Sequence, residues 1–182
     1  MKIEQTKDFP NTFYVLVEIS RGSDCKYEYS SELETIILDR VLFTPMKYPT
    51  NYGLILQTWA KDNDPLDVLL ISSAAIQPGI VVKCRAVGLA EMEDEHGIDD
   101  KVIAVPVNEV DPNSESIKDI EDIPEYEKNV LRHFFEHYKE LESGKFMKFI
   151  GFNGMKKALK IISESYTTNK KKLKKGRRGM TN

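Results

Sequence analysis

Four segments in the first half of the chain, 13–19 (FYVLVEI), 35–43, 66–71 and 80–89, concentrate apolar and β-branched residues in the short runs that half-buried strands show. Pro45, Pro49, Gly53, Pro65, Pro78–Gly79 and Gly97 punctuate them and predict loops and turns. This spacing predicts a small antiparallel barrel or sandwich rather than alternating strand–helix units. Helical periodicity comes later. Val130, Leu131, Phe134, Tyr138 and Leu141 recur at three- to four-residue spacing after Asp122, a candidate cap, and Pro124, a first-turn residue, with Gly144 as a stop. A second helix is predicted from about Asn153, with Met155, Ala158, Leu159, Ile162 and Tyr166 as its apolar stripe. No internal repeat appears. The chain reads as one domain over 1–168, followed by a polar, basic segment over 169–182 expected to be a flexible, solvated tail.

Composition changes that picture little. Of 182 residues, 41% are hydrophobic and 30% charged, which is ordinary for a globular domain and unlike a disordered one. No run approaches the length needed to span a bilayer, and Met1–Pro10 lacks the apolar stretch of a secretory signal. Cys25 and Cys84 have no metal-ligand or redox spacing, so two free thiols in a cytoplasmic protein are expected.

Charge changes it more. The net charge of −3 comes from 26 bases and 29 acids, but seven of the bases (Lys170, Lys171, Lys172, Lys174, Lys175, Arg177 and Arg178) crowd the carboxyl-terminal segment without an acid. The remainder holds 19 bases against 29 acids, near −10. A body this acidic is inhospitable to an anionic substrate unless cations intervene.

The sharpest motif is Lys61-Asp62-Asn63-Asp64-Pro65-Leu66-Asp67, running into Val68-Leu69-Leu70-Ile71. Three carboxylates at a strand entry repel one another, and hard divalent cations with oxygen ligands are their natural counter-ions. A calcium-binding EF-hand loop also begins D-x-D, but its sixth position requires Gly where Asp67 stands and its twelfth Glu where Ser73 stands. A capped turn before a strand is the plain structural alternative. A second acidic group, Glu91, Glu93, Asp94, Glu95, Asp99 and Asp100, surrounds His96-Gly97 and reads on its own as an exposed hairpin tip. Asp99 and Lys101 can nevertheless share one face of a strand start at Val102. Lys26, Arg40, Tyr48, Tyr52, Tyr138 and Lys139 supply cations and hydroxyl donors suited to phosphate oxygens, although each could instead be an ordinary surface cation or packed aromatic. Together the acids and bases suit cleavage of a P–O–P bond, which needs charge neutralisation, a nucleophilic water and a stabilised leaving phosphate.

At this point a resemblance emerges. Asp62-Asn63-Asp64-Pro65-Leu66-Asp67-Val68 resembles the signature of the soluble family I inorganic pyrophosphatases. Val17-Glu18-Ile19, Lys26-Tyr27-Glu28, Asp39-Arg40, Tyr48-Pro49-Thr50-Asn51-Tyr52-Gly53, Gln77-Pro78-Gly79, Asp94-Glu95-His96-Gly97-Ile98-Asp99-Asp100-Lys101 and His133-Phe134-Phe135-Glu136-His137-Tyr138-Lys139 follow in that family's order and approximate spacing, covering roughly residues 13 to 166. The resemblance implies an α+β, mainly β fold: a small five-stranded OB-like β-barrel flanked by two C-terminal helices. It implies an Mg²⁺-dependent inorganic diphosphatase with several ions per site, Mn²⁺ or Zn²⁺ being substitutes. Asp62, Asp67 and Asp99 would bind the tightest metal, Asp67 bridging to a second, and Asp94 with Asp99 would take further metal. Asp64 would be the general base, in direct in-line attack without a phosphoenzyme. Lys26, Arg40, Tyr52, Lys101, Tyr138 and Lys139 would contact diphosphate. Glu18 and Glu28 would be outer members of the acidic cavity, and Tyr48 would tune the base.

The resemblance further implies a cytoplasmic homo-oligomer, expected as a hexamer. Membrane and nucleic-acid partners are not expected, the basic end reading as a solubilising segment. Ser20, Leu54 and Ile98 depart from the family pattern, and Ile98 stands where an acid is frequent, which would soften binding of additional metal. Two alternatives stay open: a related metal-dependent polyphosphate or nucleotide hydrolase, and a non-catalytic nucleic-acid-binding barrel.

Overall fold

The computed structural model describes residues 3–60 and 64–178, with residues 167–178 given by backbone alone. Lys61, Asp62 and Asn63 therefore lie outside the described residues. In chain order come β1 (Phe13–Ile19), β2 (Cys25–Ser30), β3 (Thr35–Val41), β4 (Asn51–Ile55), β5 (Asp67–Leu70), β6 (Val81–Asp94), β7 (Gly97–Ile98), β8 (Lys101–Pro106), α1 (Glu125–His137), β9 (Met147–Gly154) and α2 (Met155–Arg178).

Five strands close on themselves. β1 pairs with β4, β4 with β5, β5 with β8, β8 with β6, and β6 returns to β1. β7 and β9 extend along β6, while β2 and β3 form a separate two-stranded hairpin. The mainly β fold with a closed five-stranded ring and two late helices is the one expected. One pairing in the ring is parallel, β5 with β8.

Period-two alternation divides β5 and β8 between two cores, and a register shift between Val17 and Ile19 carries β1 from one core to the other. Val15, Val17, Val68, Leu70, Val102 and Ala104 pack with Ala158 and Ile162 of α2. Ile19, Leu69, Ile103 and Val105 pack with Leu131, Phe134 and Phe135 of α1. Both faces of the ring are thus covered, which is why β8 is buried at every position.

Several local expectations are corrected. Gly53 lies inside β4 rather than in a turn, paired with Val17 of β1, and a Cβ there would stand 2.0 Å from the Leu16 carbonyl oxygen. Glycine is what lets β1 and β4 approach. Gly97 does belong to a hairpin turn, φ +117°, opening β7 opposite Asp94 of β6. Asp122 does not cap α1. Its carboxylate accepts from the N–H groups of Lys118 and Asp119, and Pro124 takes the position preceding α1. β9 fills the segment just before α2, and the α2 backbone continues through the basic residues to Arg178.

Candidate active site

Parallel pairing sets the geometry of the predicted centre. Val68 on β5 lies opposite Val102 on β8, so Asp67 and Lys101, one residue earlier on each strand, enter side by side. Lys101 Nζ reaches Asp67 Oδ2 and Asp99 Oδ1, each at 2.8 Å. The Tyr52 hydroxyl, from β4, donates to the same Asp67 oxygen. Lys101 is only 2% exposed, with its ammonium 5.5 Å from the Tyr52 ring centre and 6.0 Å from that of Phe135. Burial would depress its pKa, but the Asp67 and Asp99 carboxylates outweigh burial and hold it above the ordinary lysine value. The ammonium is a fixed positive charge.

The surrounding residues are also drawn together. Tyr48 packs against Tyr52 and Phe134, and Phe134 stacks on Tyr138 at 5.1 Å, giving the centre an aromatic floor. Burial raises the pKa of the Tyr48, Tyr52 and Tyr138 phenols, so all three are hydrogen-bond donors at neutral pH. Glu18 is buried on β1, and its Oε1 accepts from the Tyr29 N–H at 2.7 Å. Burial, reinforced by the charges of Asp67 and Glu28 against that hydrogen bond, pushes Glu18 up from 4.5 to about 8. Burial also raises Asp99, with Lys101 opposing and Asp67 adding to the shift.

The remaining cations stand against acids. On the hairpin, Lys26 and Arg40 are register partners. Lys26 pairs with Glu28 and, at 3.2 Å, with Asp39, while Arg40 pairs with Asp39 at 2.5 Å and with Glu142 at 2.9 Å. Lys139 lies 3.4 Å from Asp94 and 3.2 Å from Glu95. Asp64 is described as an exposed residue of the segment before β5, with its carbonyl accepting from the Ala60 N–H at 2.7 Å. Asp62, the third predicted ligand, falls outside the described residues.

Among the described residues no three His, Cys, Asp or Glu side chains converge as a ready metal cluster. The donor chemistry fits a hard divalent cation all the same. Asp67 and Asp99 already share one cation, the Lys101 ammonium, and Glu18 sits where burial and neighbouring carboxylates disfavour one more negative charge. Sequence reasoning missed Glu142, a buried carboxylate, and the counter-ion roles of Asp39 and Glu95. Nothing in the string Lys139-Glu140-Leu141-Glu142 separates Glu142 from Glu140, which faces outward to His137. Two clefts of about 430 and 620 Å³ lie elsewhere, sharing Ser72, Ser73, Asp111 and Asn113, and contain none of the predicted residues.

Comparison with known proteins bears on the whole of this arrangement. Residues 15–170 match the inorganic pyrophosphatase family. The inorganic pyrophosphatase of Thermoplasma volcanium is 61% identical over 165 residues, covering 91% of this chain and 98% of that protein. The solved inorganic pyrophosphatase from Thermus thermophilus superimposes with a TM-score of 0.89 at 42% identity, covering 92% of this chain and 97% of its own. That from Helicobacter pylori gives 0.90 at 39% identity, covering 93% and 99%. Since the matched span contains the ring but for the first two residues of β1, together with the hairpin and the Tyr138–Lys139 turn, this chain belongs to the inorganic pyrophosphatase family.

Proposed function

We propose that the chain is an inorganic diphosphatase, hydrolysing diphosphate to two orthophosphates. One observation carries the reading: a buried ammonium, two carboxylates and a phenol from β4, β5, the loop after β7 and β8 meet at a single point. Asp62, Asp67, Asp99 and Asp94 are the residues that would hold Mg²⁺, which when bound would supply positive charge to the phosphoryl oxygens and acidify water. Asp64 accepts the proton of the attacking water. Lys101, with Lys26, Arg40, Lys139, Tyr52 and Tyr138, holds the diphosphate oxygens and bears the charge that develops on the leaving phosphate. Tyr52 also orients Asp67 by its hydrogen bond. Glu18 and Glu28 extend the acidic wall, and Tyr48 would tune the base.

Exposed Leu38, Val41 and Phe43 at the hairpin support assembly into a homo-oligomer, expected as a hexamer and checked by sedimentation. No described helix is long and apolar enough to cross a membrane. Cytoplasmic action is part of the same proposal. Phosphate release from diphosphate, measured with Mg²⁺, with EDTA and with ATP as competing substrate, tests the function. Release that needs Mg²⁺ and prefers diphosphate is expected. Absence of release with Mg²⁺, or a preference for ATP, would overturn it.

A further inference from the structure

Glu142 has no part in the metal or diphosphate contacts assigned above, yet it is a carboxylate with only 6% of its surface exposed. Its turn follows α1 directly, with the Glu142 N–H donating to the Lys139 carbonyl at 2.9 Å and the Lys145 N–H donating to the Glu142 carbonyl at 3.1 Å. The side chain reaches in two directions. Oε1 accepts from Arg40 Nε at 2.9 Å, and Oε2 pairs with Lys145 Nζ at 3.2 Å. Arg40 comes from β3, 102 residues away in sequence.

That contact joins the hairpin to the turn after α1, near the Thr44 hydroxyl that donates to the Tyr138 carbonyl at 3.4 Å. The β2–β3 hairpin pairs with no strand of the ring, while the turn after α1 carries Tyr138 and Lys139. An arginine side chain is long and rotamer-rich, and a fixed acceptor at Nε sets the plane in which its remaining N–H groups point. Asp39 holds one terminal nitrogen at 2.5 Å, so two carboxylates fix the guanidinium from different sides. At the other end of the hairpin, Glu18 accepts from the Tyr29 N–H.

We propose that Glu142 is a positioning residue: it aims the Arg40 guanidinium at the diphosphate site and holds the hairpin against the turn that carries Tyr138 and Lys139. The inference rests on the diphosphatase reading. Lys145 balances the second Glu142 oxygen, so the role asks for an acceptor at the right place more than for net charge.

The test compares Glu142→Ala, Glu142→Gln and Arg40→Gln, singly and with the Glu142 changes in the Arg40→Gln background. Losing an aimed charge-assisted contact weakens diphosphate binding about tenfold, so Glu142→Ala is expected to raise KM by about that factor with kcat within about threefold. Glu142→Gln keeps an acceptor oxygen within reach of Nε and should return KM to within about threefold of the parent. In the Arg40→Gln background, Glu142→Ala should add nothing to KM. An unchanged KM in Glu142→Ala, a Gln variant no better than the Ala variant, or an undiminished Glu142→Ala effect without Arg40 would each overturn the proposal. Calorimetric affinity for imidodiphosphate with Mg²⁺ reads the same geometry without turnover. A parent that fails to hydrolyse diphosphate and a Glu142 that fails to position Arg40 therefore give different results.

Discussion

The proposed site has two walls built on different principles. The ring wall, with Tyr52, Asp67 and Lys101, grows from strands buried on both faces, and its backbone is fixed by hydrogen-bonded neighbours on both sides. The hairpin wall, with Lys26, Glu28, Asp39 and Arg40, pairs only with itself, exposes most of β3, and meets the rest of the site through half-buried Tyr27, ion pairs and one buried carboxylate at each end. Packing dominates in the first, and the second leans more on electrostatics. The ring can fix the distance between charges that must not move, while the hairpin can adjust to a substrate whose oxygens spread outward.

The comparison is sharpest in kinetics. Asp64→Asn, at the entry to the ring, should lower kcat about a hundredfold to ten-thousandfold with the thermal melt unchanged, as expected for loss of a general base. Lys26→Ala on the hairpin should mainly raise KM, about tenfold, with kcat falling no more than about threefold. Both are read from phosphate release against diphosphate concentration, and a reversed pattern would break the division of labour. Stability should divide the same way. Gly53→Ala forces a carbon against the Leu16 carbonyl oxygen and should cost about 3 kcal/mol in chemical denaturation. Lys101→Met leaves Asp67 and Asp99 facing each other with both partly exposed, and should cost about 2 kcal/mol in EDTA, against less than about 1 kcal/mol for Lys26→Met. Equal losses for the two lysines would erase the contrast.

The smallest effect concerns pH. Glu18 titrates near 4.5 when unfolded and near 8 when folded, so the folded chain holds the extra proton between those values. Its stabilising contribution is complete below about 4.5 and is lost as pH rises through about 8. In metal-free protein, denaturation midpoints should drift down across that window, and Glu18→Gln should flatten the drift.

Much of the ring was legible because β1, β5 and β8 are apolar runs bounded by turn residues, and the Asp64-Pro65-Leu66-Asp67 entry marks where chemistry meets core. Asp99 and Lys101 do share a strand start, as alternation predicts. Long-range partnership was not legible. β9 mixes exposed and half-buried positions, and its place is set by pairing with β6 rather than by its own pattern. β2 is half-buried at every position but exposed Glu28, so the sequence Cys25-Lys26-Tyr27-Glu28-Tyr29-Ser30 carries no clear period. Gly53 looks like a breaker until the neighbouring strand is seen. Glu142 became visible only through Arg40, which sequence places 102 residues off.

The parallel β5–β8 pair also has a bearing on how the molecule is made. Asp67 and Lys101 lie 34 positions apart in sequence, with all of β6 between them, so their meeting requires a long crossover to close first. A nascent chain that has emerged through Asp67 alone carries its acids without their partner lysine. The centre cannot form before Lys101 has been made and β8 has paired with β5, so capacity for turnover reports on completed topology.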